Sequence, residues 1–420
     1  MSTWQRHADE LAAALTRAGA LTPGWRAAFT QTPRHIFVPH FYLEDDSNSR
    51  VDADTPAGLA AVYADESLVT QVAPHPGGGF TVPTSSSTRP SLMARMLDML
   101  DVTDNTTVLE IGTGTGYNTA LLCHRLGDRQ VASIDIDPLL VETARTRLAS
   151  LGYHPHLTAG DGAGGVPAHA PFDRIIATAA VTAIPPTWIT QLTDRGRIVA
   201  DIRGELASAL IIADKTGPHQ VRGRFHDTPG HFMWLRARAE HPLRNGTDPT
   251  TVFDFTDPEH ATTDIPVDAF TDRSFRFLLQ TALPNLGPIS GHLPDGGDGV
   301  FLHAEDCSWI QYRPGRDTAT VTYGGPRPLW PTVNDTWHRW HRWHRPSIDR
   351  YGITAHDDGR HHIWLDHDHT STTIVTTRPP DQPAPAHVMP AASPNRRQVR
   401  TGDHPDDLPT PPGPASHLQP

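Results

Sequence analysis

The residues best suited to chemistry in this 420-residue chain are the glycines of one short loop. An apolar, β-branched run at residues 108–111 breaks into glycines at alternate positions, just before a helix-forming segment. Glycine has no Cβ, so its backbone adopts otherwise strained conformations and lets a ligand approach closely. The pattern predicts a cofactor site at a strand-to-helix turn, with contacts expected from Glu110, Gly112, Thr113, Gly114, Gly116 and Tyr117.

The spacing of the glycines in this loop distinguishes between its possible ligands. Its pattern, Glu-x-Gly-x-Gly-x-Gly, lacks the Gly-Lys-Ser/Thr of a P-loop, so no lysine is present to hold a β- or γ-phosphate. The pyrophosphate of NAD prefers a three-glycine turn with a wider second gap. S-adenosyl-L-methionine fits this loop better than either nucleotide.

Two acidic residues end the next apolar run, about 20 residues after the glycines, where ribose hydroxyls are normally held. Residues 130–137 place Asp135 and Asp137 there. A carboxylate at this point accepts hydrogen bonds from both ribose hydroxyls and repels the 2′-phosphate of NADP. We expect Asp135, with its neighbour Ile136, to bind the cofactor. The alternative, that the acid caps the helix starting near Pro138, applies chiefly to Asp137.

Two further apolar runs predict the third and fourth strands of a doubly wound parallel sheet. One run precedes Ala159, and the other spans residues 172–180. Ligands of such sheets lie beyond the carboxyl ends of the strands. That edge is therefore expected to add more residues to the crevice: Asp161, Gly162, Thr178, Ala179 and Ala180.

Several motifs outside the glycine loop resemble the protein-L-isoaspartate O-methyltransferase family. They are Pro33-Arg-His-Ile-Phe-Val-Pro39, Tyr63-Ala-Asp65, Ser86-Ser-Thr-Arg-Pro90, Ile184-Pro-x-x-Trp188 and Gly196-Arg-Ile-Val199. The resemblance covers residues 30–235. It implies a Rossmann-like α/β fold and S-adenosylmethionine-dependent methylation of a carboxyl group on a protein or peptide.

The Ser86–Pro90 segment resembles the family's Thr-Ile-Ser-Gln-Pro, with Thr88 at the serine and Arg89 at the glutamine. A carboxylate is already ionised at neutral pH, so methyl transfer requires positioning donors more than a general base. We expect Thr88, with Ser87 and Ser86 beside it, to aim the substrate. These hydroxyls also fit a helix N-cap before Pro90. Arg89, together with Ala179 and Ala180, is a second-rank candidate for positioning the substrate, although a loop arginine is more often solvated.

Composition divides the chain into four predicted parts. They are an N-terminal helical, substrate-side segment (1–85), an S-adenosylmethionine-binding domain (86–236), a C-terminal accessory α+β domain (237–375) and a disordered Pro-rich tail (376–420). Residues 4–19 predict an amphipathic helix over the crevice, with Leu11, Leu15 and Ala18 on one face. In the accessory domain, strand-like runs are predicted at residues 300–303, 308–312, 319–323 and 359–366. Between them lies a helical stripe of Val333, Trp337 and Trp340, which is interpreted as core.

Charge and composition exclude several classes of protein. The net charge of −12 argues against a nucleic-acid surface, and no apolar stretch is long enough to span a membrane. No secretory signal is visible, and the two cysteines, Cys123 and Cys307, make no disulfide framework, so the cytoplasm is expected. The 26 histidines make spacing coincidences common, so series such as His338, His341 and His344 predict no metal site.

The segments after Phe225 resemble extended family homologues found with actinobacterial ribosomal-peptide pathways, including lanthipeptides and graspetides. Those segments are Phe225–Arg236, Pro328-Leu-Trp-Pro331 and Tyr351-Gly-Ile-Thr354. The resemblance implies methylation of an aspartate side chain in a modified, cyclised precursor peptide, followed by closure of the ester to aspartimide, which can open to isoaspartate. An isoaspartate-repair methyltransferase remains the alternative. A peptide-binding homologue without catalysis is a lower alternative, disfavoured by the intact cofactor motifs.

Overall fold

The computed structural model describes residues 2–43, 49–75, 79–237, 253–284, 286–367 and 370–377. The helices are α1 (Thr3–Arg17), α2 (Pro23–Gln31), α3 (Arg34–Phe37), α4 (Pro56–Val62), α5 (Pro90–Met99), α6 (Tyr117–Leu126), α7 (Pro138–Ser150), α8 (Pro186–Thr190), α9 (Arg273–Ala282) and α10 (Leu329–Arg342).

Strands account for most of the remaining regular structure. They are β1 (His40–Tyr42), β2 (Arg50–Asp52), β3 (Leu68–Pro74), β4 (Thr81–Ser87), β5 (Val108–Ile111), β6 (Val131–Asp135), β7 (His156–Ala159), β8 (Phe172–Val181), β9 (Leu192–Arg203), β10 (Ser208–Gly217), β11 (Gln220–His226), β12 (Glu259–Thr263), β13 (Ser290–His292), β14 (Asp298–His303), β15 (Trp309–Arg313), β16 (Ala319–Gly324), β17 (Tyr351–His356), β18 (His361–His367) and β19 (Thr370–Thr377).

A ten-stranded sheet organises the molecule, in the order β19-β18-β17-β11-β10-β9-β8-β5-β6-β7. Strands β7, β6, β5, β8 and β9 are parallel, and the others join antiparallel. The chain leaves β5 toward β6 and β7, then returns to β8 on the other side of β5. This reversal of strand order opens a crevice beyond β5, where doubly wound sheets bind ligands. The predicted Rossmann-like α/β fold is confirmed.

The central strands are apolar because helices or other layers cover both of their faces. All four residues of β5 and all five of β6 are buried. A parallel sheet covered on both faces reads as a continuous hydrophobic run rather than an alternating one. This is why the strands on either side of the glycine loop could be predicted from the sequence.

A four-stranded antiparallel sheet, ordered β2-β1-β3-β4, lies in the N-terminal part together with α1 to α4. The predicted first helix is present, and Leu11 and Leu15 are buried in it. Two details were wrong: Ala18 lies beyond the helix end and is exposed, and no residue of α1 lines the crevice. The buried face of the helix packs on α2 instead.

A five-stranded antiparallel sheet, ordered β12-β16-β15-β14-β13, lies in the C-terminal half with α9 and α10. Three of its strands match predicted runs. Val333 and Trp340 of the predicted stripe are buried, and Trp337 packs against them, which confirms that the stripe is core. One hydrophobic cluster continues from β5 and β8 to these C-terminal elements.

The strand predicted at residues 359–366 exists as β18, but it does not join the C-terminal sheet. It pairs with β17, which pairs with β11 at the edge of the large sheet. An open β11 edge would leave a row of backbone groups unpaired, and β17 covers it. The large sheet therefore extends past residue 236, and the domain boundary at that residue stays a proposal.

The predicted tail begins with Thr376 and Thr377, which lie in β19. From residue 378 onward it lies outside the described residues. Within the described part of the chain, no helix combines the length and apolarity needed to cross a membrane.

Candidate active site

A cleft of about 890 Å³, its solvent-filled mouth included, opens beyond the carboxyl ends of β5, β6 and β8. Of the residues predicted from the sequence, it is lined by Ser86, Ser87, Thr88, Gly112, Thr113, Gly114, Tyr117, Asp135, Ile136, Gly162, Thr178 and Ala179. Other residues that line it were not predicted from the sequence: Thr84, Ser85, Met93, Thr115, Asn118, Ile134, Leu140 and residues 232–236.

The glycine loop forms the floor of the cleft, and two of its glycines are required by close neighbours. Gly112 has φ +95°, and a Cβ there would lie 2.7 Å from Thr178 Oγ1. That hydroxyl donates to Gly112 O at 2.8 Å, which fixes β8 against the loop. Gly116, at φ +88°, does not line the cleft; a Cβ there would lie 3.0 Å from the Cβ of Ala144 in α7. It is needed for helix packing rather than ligand contact.

Glu110 lies beneath the loop rather than in the cleft. It is fully buried and accepts hydrogen bonds from Asn118 Nδ2 at 2.7 Å, Thr119 Oγ1 at 2.5 Å and Ser133 Oγ at 2.7 Å. Burial raises its pKa to about 7, despite the three donors. The structure thus gives Glu110 a supporting position, where its bonds hold the start of α6 against β6.

Asp135 is at the carboxyl end of β6 and lines the cleft. Its Oδ2 accepts from Gly114 N at 2.7 Å, and its Oδ1 accepts from Asp137 N at 3.1 Å. Burial raises its pKa, and the two backbone N–H groups oppose this rise. A carboxylate offers about four acceptor positions, so further hydroxyl donors can be accommodated. Asp137 caps α7 by accepting from Leu139 N, as the alternative interpretation predicted.

Residues 232–236 form a wall of the cleft that was not predicted from the sequence. The end of β8 holds it: Ala180 N donates to Met233 O, and Leu235 N donates to Ala180 O, both at 2.8 Å. Ala180, predicted to face the crevice, is buried in this pairing and does not line it. No local motif in residues 232–236 indicates a parallel pairing with a strand more than 50 positions earlier.

Hydroxyl groups of β4 line the opposite side of the cleft. Ser85 and Ser87 are buried, whereas Ser86 and Thr88 are half-buried. Among the described residues, no hydrogen bond engages the hydroxyl of Ser86 or Thr88, so both can donate to a substrate carboxylate. Ser87 Oγ instead accepts from Arg34 Nη2 at 3.3 Å.

Arg34 fixes this hydroxyl strip. Its guanidinium is fully buried and donates to the carbonyl oxygens of Val62, Ala64, Glu66 and Thr88 at 2.8 to 3.2 Å. Burial lowers its pKa to about 10, which leaves it charged at neutral pH. The arginine connects the segment after α4 to the end of β4, and thereby sets the position of Thr88.

Besides Glu110, Gly116 and Ala180, two more predicted site residues lie outside the cleft. Arg89 does not line it; its side chain is 52% exposed and lies 3.5 Å from Glu66 Oε2, because the chain turns outward into α5. Asp161 is exposed and accepts from Ala163 N at 2.9 Å, so it caps the turn after β7.

The expected N-cap role of Ser86, Ser87 and Thr88 is wrong. The first two residues belong to β4, where Ser87 pairs with Leu68 and Ser86 with Val69. Strand pairing holds this segment extended up to Ser87, and α5 begins after Arg89 without a side-chain cap. Asp65 Oδ1 accepts from Ser91 N at 2.7 Å and satisfies one donor of the first turn.

Asn118 is a cleft residue with an unused polar atom. It is 7% exposed, its Nδ2 donates to Glu110, and its Oδ1 has no hydrogen-bond partner. A buried amide oxygen without a donor is costly unless a ligand supplies one. Around the described residues, no cluster of three or more histidine, cysteine, aspartate or glutamate side chains is arranged to hold a metal ion.

The similarity to known proteins covers the part of the chain that contains most of the cleft. The sequence model described as "Protein-L-isoaspartate(D-aspartate) O-methyltransferase (PCMT)" matches residues 7–228, which is 222 of the 420 residues. Protein-L-isoaspartate O-methyltransferase 2 of Archaeoglobus fulgidus is 34% identical over 197 residues, covering 46% of this chain and 77% of that protein. The namesake from Syntrophobacter fumaroxidans is 34% identical over 207 residues, covering 49% of this chain and 72% of that protein.

One solved structure, also a protein-L-isoaspartate O-methyltransferase, is similar over a longer span. The TM-score is 0.51 with 23% identity, and the alignment covers 85% of this chain and 98% of that one. At this identity the likeness shows the fold alone. Since it extends past residue 228, elements after the family match also have counterparts in a solved fold.

Proposed function

This chain belongs to the protein-L-isoaspartate(D-aspartate) O-methyltransferase family and is an S-adenosylmethionine-dependent carboxyl methyltransferase; we propose that it methylates an aspartate side chain of a modified, cyclised precursor peptide in the cytoplasm. The ester then closes: the following backbone nitrogen attacks the ester carbonyl carbon, methanol leaves, and an aspartimide forms that water can open to isoaspartate.

One observation supports methylation of a carboxyl group. The glycine loop forms one side of the cleft, and hydroxyl groups without hydrogen-bond partners among the described residues line the opposite side. The hydroxyls of Ser86 and Thr88 can donate to a carboxylate, and an ionised carboxylate needs no general base. When bound, S-adenosylmethionine supplies a methyl group on a cationic sulfur. The residues of the chain therefore bind, orient and exclude water.

The cleft fits that cofactor on two structural grounds. A Cβ on Gly114 would lie in the space between the glycine loop and β4, with Ser85 Oγ as its nearest neighbour at 3.8 Å, so the glycine keeps this part of the cleft open. The buried Asn118 Oδ1 lacks a donor that an ammonium or hydroxyl group of a ligand can supply. We assign Gly112, Thr113, Gly114, Asn118 and Asp135 to cofactor binding. Asp135 would accept from ribose hydroxyls, and Ile136 and Leu140 would contact the base.

The substrate assignment rests on the wall of residues 232–236. Trp234, Leu235 and Arg236 line the cleft, yet they lie beyond the family match at residues 7–228. They give the cleft an aromatic and cationic side. A shaped wall of this kind favours one defined peptide over the many damaged proteins that a repair enzyme must accept.

Repair of isoaspartate is the second candidate, and one observation favours it. A solved protein-L-isoaspartate O-methyltransferase shares its fold with 85% of this chain, so the length of the C-terminal half does not itself exclude repair. A catalytically inactive peptide-binding homologue is a lower alternative. In that case the protein would keep the glycines and acidic residues of the cofactor site but would not transfer a methyl group.

Methyl transfer from labelled S-adenosylmethionine to two peptides distinguishes these functions. One peptide carries isoaspartate, and the other is a constrained cyclic peptide with an ordinary aspartate. We expect the cyclic peptide to gain one methyl group and then lose methanol, as followed by mass. Methylation of the isoaspartyl peptide alone would establish repair, and cofactor binding without transfer to either would favour the inactive homologue.

A further inference from the structure

A second cavity lies beside the cleft, between the turn that joins β9 to β10 and the start of α9. Its empty space is about 750 Å³, open solvent included, and three arginines line it: Arg203, Arg273 and Arg276. His231, Glu205 and Ile348 complete its main walls. We refer to this space as the arginine cavity.

The arginine cavity has more positive than negative charge on its walls. Arg276 is half-buried; its Nε has no acceptor, and no ion pair with it occurs among the described residues. Arg203 donates to Phe232 O at 2.5 Å but has no carboxylate partner in the same part of the chain. Arg273 pairs with Asp227 at 3.3 Å, and Glu205 is the one acidic side chain lining the described cavity. The guanidinium groups of Arg203 and Arg276 thus form no ion pair within the described part of the chain, although the buried Asp201 interacts electrostatically with Arg203.

The arginine cavity shares a wall with the methyl-transfer cleft. His231 lines the cavity, and the next residue, Phe232, lines the cleft. Arg203 joins the two, because its guanidinium lies 4.9 Å from the ring centre of Trp234, another cleft residue. An extended peptide advances about 3.3 Å per residue, so a few residues suffice to reach from one space to the other.

From this placement we infer that the arginine cavity binds an acidic side chain of the peptide substrate while a nearby carboxyl group of the same peptide is methylated. A guanidinium fork matches a carboxylate with two parallel hydrogen bonds, and partial burial strengthens the contact. The enzyme therefore selects acid-rich peptides. The inference deepens the proposed function and rests on its peptide substrate.

A pair of peptides that match in length and shape but differ in charge tests the inference. Both carry one reactive aspartate; in one the flanking positions are acidic, and in the other they are the corresponding amides. For the acidic peptide we expect Arg276→Gln to raise KM about tenfold with kcat unchanged. The wild-type enzyme should already have the higher KM for the amide peptide, with no further rise in the variant. Equal rises for both peptides would overturn the assignment.

Matched variants separate a local effect from a general one. Arg316→Gln removes the same charge from an exposed loop and should leave KM for both peptides unchanged. If Arg276→Gln fails to fold, Arg273→Gln, an exposed residue of the same cavity, replaces it and should raise KM in the same selective way. An Arg316→Gln effect as large as that of either cavity variant would contradict the inference.

Direct binding keeps this test independent of methylation. A fluorescent acidic peptide should bind wild-type enzyme about tenfold more tightly than Arg276→Gln, whether or not it is methylated. Failure of methylation with this difference intact would remove the proposed function and leave the cavity assignment. Inorganic sulfate that binds in an Arg276-dependent way, with no difference between the acidic and amide peptides, would make the cavity a free-anion site and overturn the peptide assignment.

Discussion

Two carboxyl groups at the glycine loop differ because burial isolates one of them from the cleft. Glu110 is fully enclosed and bonds only protein donors, whereas Asp135 reaches the cleft from the end of β6. At the residue scale, we therefore propose Asp135 as the cofactor contact, whereas Glu110 supports the loop from beneath.

Replacing Asp135 by alanine tests the first role. We expect Asp135→Ala to weaken S-adenosylmethionine binding by about 1 to 3 kcal/mol, the range for losing a hydrogen bond to a charged group. Calorimetric titration measures the change. Asp98→Ala removes the same charge from the exposed face of α5 and should bind as wild type does. Unchanged affinity in Asp135→Ala would remove this residue from the ribose site.

The raised pKa of Glu110 predicts that the free energy of unfolding depends on pH. Its pKa is raised from an ordinary 4.5 to about 7 in the folded protein, so the folded state binds the proton more tightly than the unfolded state. Its stabilising contribution is full below pH 4.5 and is lost as the pH rises through 7. Urea unfolding at pH 5 to 8 should show a steeper loss of stability in wild type than in Glu110→Gln. Parallel pH profiles would contradict the assignment.

Loss of the Thr88 hydroxyl should reduce turnover without weakening cofactor binding. Thr88→Val keeps the shape of the side chain and removes its hydroxyl donor, so methyl transfer should fall strongly while S-adenosylmethionine affinity is retained. Thr88→Ser restores the hydroxyl and should recover most of the turnover. Single-turnover kinetics with calorimetry measures both quantities, and full activity in Thr88→Val would show that this hydroxyl does not aim the substrate.

At the scale of elements, the hydroxyl strip depends on a contact distant in sequence. Arg34, at the start of α3, donates to Val62 at the end of α4 and to Thr88 just after β4. One planar fork satisfies acceptors on both segments, which a lysine with its single ammonium group cannot reproduce.

Arg34→Lys should therefore lower the free energy of unfolding by about 2 to 3 kcal/mol, because buried carbonyl groups lose their donors. It should also reduce turnover, since Thr88 loses its fixed position. Arg17→Lys, at the exposed end of α1, is the matched control and should change neither quantity. Denaturant unfolding of the three proteins provides the comparison, and equal stability of all three would contradict the role.

At the scale of the whole molecule, catalytic and C-terminal parts share one sheet. Strand β17 covers the edge of β11, and residues 232–236 close one side of the cleft. The extended part of the chain is therefore needed for both the sheet edge and the site.

Truncation tests this dependence. A chain ending at residue 228 keeps the whole family match but uncovers β11 and lacks the cleft wall, so it should self-associate and bind S-adenosylmethionine more weakly. A chain ending at residue 379 keeps both features and should behave as the full chain does. Sedimentation and calorimetric titration measure the two properties, and a monomeric 1–228 chain with full affinity would refute the prediction.

The sequence by itself determined the glycine loop, the acid at the end of β6, the doubly wound sheet and the family. Each depends on local order: buried parallel strands are continuous apolar runs, and close ligand approach selects glycine. Only the tertiary structure placed residues 232–236 against Ala180, Arg34 against Thr88, and β17 against β11. These contacts join residues from about 50 to more than 100 positions apart, and hydrogen bonds between such distant residues leave no periodic pattern in the sequence.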